Sequence, residues 1–125
     1  MGQILNGVKS MEAFEIITKD LGGVPVLVVK GYCNGEAGEK LLSEVDLLAS
    51  QKKTSVVIDF SECKVINSPG VAALMDLTLK VLDDFKGKLV VTGLDNLKKS
   101  VLSMARIIPM AGVAATVQEA AQQLK

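Results

Sequence analysis

The chain has 125 residues, about the length of one ordinary domain, and 49% of them are hydrophobic, enough to bury a core without disulfide or metal staples. With three Phe, one Tyr and no Trp, that core is built from Val, Leu, Ile and Ala, and an aromatic platform for single-stranded nucleic acid is excluded. Fourteen basic residues balance fourteen acidic ones, so no broad field draws in nucleic acid or anionic lipid, and the absence of histidine removes Ser-His-Asp, Cys-His and histidine-zinc chemistry.

Residues 1–12 read as a polar N-terminal leader, with Ile4, Leu5 and Val8 the only large apolar side chains after Met1 in the first ten residues, and 13–125 as a single domain. The leader lacks the continuous apolar core of a secretion signal, and no stretch approaches the length of a membrane span. Cys33 and Cys63 are too few for a disulfide scaffold or a four-thiolate zinc site. A reducing cytoplasm is the expected compartment, with no membrane contact.

Phe14–Thr18 and the β-branched run Val24–Val29 predict an antiparallel hairpin around the turn residues Asp20-Leu21-Gly22-Gly23, with Pro25 near the start of a strand expected at a sheet edge. Gly31, Gly35 and Gly38 punctuate a loop before a helix marked by Leu41, Val45 and Leu48. Their spacing matches neither a P-loop nor a dinucleotide fingerprint, so the loop reads as a strand-to-helix turn. Ser55–Phe60 is apolar enough for a strand covered on both faces and is expected at the sheet centre.

A second helix carries Val71, Leu74, Thr78, Val81, Leu82 and Phe85, with Gly87 as its cap. Lys88–Thr92 follows as a strand. Leu94, Leu97, Val101, Leu102 and Ala105 mark a third helix ending before Pro109, and Val113–Ala115 a short last strand. Thr116 caps a fourth helix with Glu119 as its capping-box acid. Cys33, Cys63, Met104 and Met110 are expected as packing residues, and Asp83-Asp84, Lys52-Lys53 and Lys98-Lys99 as ordinary surface charges. The order β-β-α-β-α-β-α-β-α predicts an α/β domain with a mixed four- to five-stranded sheet, about four helices and right-handed parallel crossovers.

One segment resists a purely structural account, the strand-loop-helix passage from Asp59 to Leu74 that contains Asn67-Ser68-Pro69-Gly70. Ser68 fits an N-cap and Pro69 the first helical position. Gly70 fits neither role, since glycine inside a helix costs about 1 kcal/mol relative to alanine, and it implies that something approaches the helix start closely. A phosphoryl group on Ser68 would meet free amides and the positive end of the helix dipole there.

Val56 to Gly70, the apolar helix after it, and Gly87-Lys88-Leu89-Val90-Val91 resemble the STAS domain of bacterial anti-sigma factor antagonists. The similarity runs from about residue 14 to 124 and includes the Thr116–Ala120 start of the last helix. By position, Ser68 matches the serine that a partner kinase phosphorylates in that family, Asn67 the preceding aspartate, Pro69 the second hydroxyl residue and Gly70 the motif glycine. Gly31-Tyr32-Cys33-Asn34 stands in for a Gly-Glu-Leu-Asp turn on the partner-facing surface. Asn67 and Asn34 are neutral where that family is usually acidic, and Pro69 removes a hydroxyl and an amide donor.

The resemblance implies a protein switch with no catalytic residue, cofactor or metal of its own. Its partner-binding residues would be Gly31, Asn34, Asn67, Ser68, Pro69 and Gly70, and it would act as a monomer or weak homodimer. It would bind an anti-sigma factor with serine kinase activity and so release a sigma factor. Phosphorylation of Ser68 would switch it off, and a metal-dependent serine phosphatase would reset it. The alternative is a phosphorylation-incompetent STAS scaffold in another signalling complex, for which Pro69 and the missing acids argue.

Overall fold

The computed structural model describes residues 13–125, and the leader expected over 1–12 lies outside the described residues. Strands β1 (Phe14–Leu21) and β2 (Val24–Cys33) form the expected hairpin. Its two-residue turn places Gly22 and Gly23 at φ of 62° and 93°, the pair of left-handed conformations that glycine adopts at least cost. β2 is an interior strand and not the edge expected from Pro25, because β3 (Val56–Ile66) pairs with its other side. That parallel pairing begins at Val26, one residue beyond Pro25, so the missing amide falls where the strand only starts.

Helix α1 (Gly35–Ser50) follows β2 after the single residue Asn34. The expected glycine loop is therefore the end of β2, a one-residue link and the first turn of α1. Of its three glycines only Gly31 is left-handed, at φ 80°. Gly38 lies where a Cβ would overlap that of Ala73 on α2 (Ser68–Leu79), so its bareness sets how closely the two helices approach.

β3 is the central strand, as its apolar run predicts, but it continues to Ile66 beside an irregular stretch of β2. α2 runs into a π-helical turn, Lys80–Asp84, and ends on Lys86 at φ 57°, while the Gly87 amide donates to the Val81 carbonyl at 2.8 Å. The left-handed cap residue is thus Lys86. Gly87 is needed because any Cβ there would strike the Thr54 carbonyl.

β4 (Leu89–Thr92), α3 (Asn96–Met104), β5 (Gly112–Ala114) and α4 (Val117–Gln123) complete the chain. The sheet order is β1-β2-β3-β4-β5, parallel except for β1. Thr116 caps α4 by accepting from the Glu119 amide at 3.1 Å, and the Glu119 carboxylate reaches back to the Ala115 amide.

Two expectations about side chains are corrected in and just after α3. Met104 is 83% exposed, because the face that buries Leu102 turns a residue two positions later about 200° away, and Met110, in the turn before β5, is exposed too. Lys98 is not a free surface charge: it is 7% exposed, and its ammonium pairs at 2.7 Å with Asp95, whose other oxygen caps the helix at the Lys98 amide. These hydrogen bonds from Lys98 hold the exposed Asp95 carboxyl below its usual range.

Alternation along the strands gives each sheet face its own core. Leu27, Val29, Ile58, Phe60 and Val91 pack with Leu41, Val45, Leu77 and Leu102 of the helix layer. Val26, Val28, Val57 and Val90 face the other way, toward Ala120 and Ala121 of α4. Each fully buried Leu or Val contributes about 1.5–3 kcal/mol, so both layers are held by aliphatic burial. Among the described residues no helix is long and apolar enough to cross a membrane.

Candidate docking site at the paired helix starts

The parallel crossovers carry the chain out of the C-terminal ends of β2 and β3 and straight into α1 and α2. The two helices begin side by side, and both start the same way. Asn34 is in extended conformation and its Oδ1 accepts from the Ala37 amide at 2.9 Å, capping α1. Asn67 is likewise extended, and its Oδ1 accepts from the Gly70 amide at 3.0 Å, capping α2.

The cap of α2 is therefore Asn67 and not Ser68. Ser68 is the first helical residue and Pro69 the second, one place further in than expected. The shift frees the Ser68 hydroxyl from capping and leaves the residue exposed, with Pro69 exposed beside it. A Cβ on Gly35 would come within 3.2 Å of the Pro69 Cβ, so the first residues of α1 and α2 touch.

Gly70 is buried, and its lack of a side chain has an internal cause: the Cys33 carbonyl occupies the space a Cβ would take. The same carbonyl accepts from the Asn67 amide at 3.2 Å. The end of β2 thus holds the start of α2 through one oxygen. What approaches the helix start closely is the chain's own backbone.

The structure brings Asn34, Asn67, Ser68 and Pro69 together, with Gly70 beneath them. Gly31 is drawn the other way. Its Cα side abuts the Ala13 carbonyl, which also accepts from the Tyr32 amide at 3.0 Å, so it serves the β1 junction through its backbone.

The first turn of α2 offers little to an anion locally. Pro69 has no amide hydrogen, the Gly70 amide is taken by Asn67 Oδ1, and the Val71 amide donates to the Asn67 carbonyl at 2.9 Å. A charge added at Ser68 would stand at the surface, met by few donors from its own helix.

Cys33 and Cys63 lie behind this rim, both buried in the helix-side core. Burial, reinforced by the neighbouring Cys63 thiol, pushes Cys33 from 9.0 up to about 12. Burial raises Cys63 too, against the nearby Lys98 ammonium, which lowers it. Both are protonated packing groups at neutral pH, as the sequence leads one to expect.

Sequence reasoning missed Asp59 and Lys98. Asp59 is 8% exposed, and its Oδ1 accepts from the Ser61 amide at 2.9 Å. An aspartate inside the otherwise apolar run Val56–Phe60 was the available signal. For Lys98 the signal was Asp95, three residues earlier at a helix start.

No protein-family model matches the chain, and no curated relative is found by sequence. Solved structures do match: the fold is that of STAS domains. The Thermotoga maritima protein TM1081, described as a candidate anti-sigma factor antagonist, superposes with a TM-score of 0.75 at 16% identity, over 87% of this chain and 93% of its own. An anti-sigma factor antagonist from Mycobacterium paratuberculosis gives 0.73 at 16% identity, over 90% and 95%. The phosphorylated form of the Bacillus cell fate determinant SpoIIAA gives 0.67 at 18% identity, over 90% and 100%.

Proposed function

We propose that the chain is an anti-sigma factor antagonist whose docking surface is centred on Ser68 and is switched off when that serine is phosphorylated. The observation that carries this reading is the exposed Ser68 at the first position of α2, with its hydroxyl unused by the cap and with the start of α1 against Pro69. Asn34, Asn67 and Pro69 form its rim, with Gly70 beneath it through the backbone, while Gly31 serves the β1 junction.

The partner is an anti-sigma factor with serine kinase activity, and binding it releases a sigma factor for transcription. ATP and magnesium belong to that kinase. A metal-dependent serine phosphatase restores the unmodified form. The compartment is the cytoplasm.

The switch works by charge at a contact surface. Phosphorylation adds about two negative charges at Ser68. The α2 start neutralises them poorly, so the penalty falls on the complex when that surface is desolvated. Incubation with ATP and a serine-kinase anti-sigma factor, followed by phosphosite mapping, should place the phosphate on Ser68 and on no other residue. A second reading, a scaffold that is never phosphorylated, is favoured by the proline that follows the serine. It predicts a stable kinase complex with no label on Ser68.

A further inference from the structure

The face of the sheet opposite helices α1–α3 holds a cavity of about 240 Å³ that the docking reading does not use. Its floor is Val26 and Val28 of β2, and Val117 and Gln118 at the start of α4 form one wall. Lys19 of β1 and Asp59 of β3 stand on either side, and Asp20 and Leu21 complete the lining, the Asp20 carboxylate being engaged by the Gly23 amide and by Lys53.

Asp59 is 8% exposed; one carboxylate oxygen accepts from the Ser61 amide, while the other has no hydrogen-bond partner among the described residues and stays open to the cavity and solvent. Beside it in the ladder, Thr92 is 1% exposed and its hydroxyl is unpartnered. A mostly buried carboxylate with one uncommitted oxygen facing a cavity is a favourable place for a cationic donor, which would replace the water that now reaches it. Lys19 is exposed and has no ion pair among the described residues, although it lines the same cavity.

The strand register fixes how far apart these charges stand. Lys19 is opposite Val26, and Asp59 is opposite Val28. Two strand spacings across and two residues along separate their Cα atoms by about 12 Å. Valines line the gap.

We propose that this cavity binds a small zwitterion, with its ammonium group on Asp59, its carboxylate on Lys19 and an apolar spacer over Val26, Val28 and Val117. A single-charge ligand leaves one end unmatched. The volume limits the ligand to fewer atoms than a drug-sized molecule.

The full chain, isotopically labelled, is titrated with 6-aminohexanoate and followed by backbone amide shifts. The expected result is saturable shifts at Val26, Val28, Asp59 and Val117, with a dissociation constant of about 10 mM or tighter. Hexylamine and hexanoate should each bind about tenfold or more weakly, and Asp59→Asn should weaken 6-aminohexanoate by about tenfold to a hundredfold. Because Asp59 also holds the Ser61 amide, Lys19→Gln supplies a variant at an exposed position, with the same tenfold loss expected. No saturable shift at these amides, equal affinity for a single-charge analogue, or unchanged affinity in Lys19→Gln would overturn the proposal.

Discussion

Asn67 and Ser68 divide between them what a single residue commonly does. The asparagine satisfies the Gly70 amide, and the serine is left free at the surface. This division predicts opposite stability outcomes for two neighbouring truncations. Asn67→Ala should cost about 0.5–2 kcal/mol in urea unfolding, and Ser68→Ala should stay within about 0.5 kcal/mol. The reverse order would return the cap to Ser68. Sequence alone misassigned this cap because Ser and Asn are nearly equal as capping residues and Pro fits the first turn under either register. The deciding fact is the Cys33 carbonyl, which binds the Asn67 amide from a strand more than thirty positions earlier. No local pattern carries that contact.

At the scale of elements, the site depends on how closely α1 and α2 lie. Two positions set the approach, Gly38 against Ala73 and Gly35 against Pro69, and Gly70 against the Cys33 carbonyl seats the start of α2 on the end of β2. Gly38→Ala would ordinarily stabilise a helix interior by about 1 kcal/mol. Here the new methyl meets the Ala73 Cβ, and overpacking of about 1–3 kcal/mol should outweigh the gain, lowering the unfolding midpoint. Strand and helix identities were legible because the strands are β-branched runs and the helices repeat Leu41-Val45-Leu48 and Leu74-Thr78-Val81. Their lengths were less so. β2 and β3 extend past their apolar runs through Lys30–Cys33 and Ser61–Ile66, held by each other in the ladder. Polar residues at the exposed end of a strand look the same in sequence as a loop.

Over the whole molecule, an aliphatic core lies on each sheet face, and the one on the α1–α3 side buries both thiols, which sets an alkaline limit. In the unfolded chain Cys33 loses its proton near pH 9.0, whereas in the folded chain it keeps it up to about 12. Above pH 9.0 the folded state therefore binds more protons than the unfolded state, and stability falls across that window. Urea midpoints should drop as pH rises from 9.0 toward about 12, and the drop should be smaller in Cys33→Ala. Equal slopes would show that the thiol is not buried as described. The balanced charge of 14 against 14 also gains meaning at this scale. On a molecule with no net field, one phosphate at the paired helix starts is a large local change.

The measurement that bears most directly on the switch is a pull-down from the source cell with wild-type, Ser68→Ala and Ser68→Asp baits. The wild type and Ser68→Ala should retain an ATP-binding anti-sigma kinase, and Ser68→Asp should lose it. Retention of that kinase by all three baits alike would contradict the account.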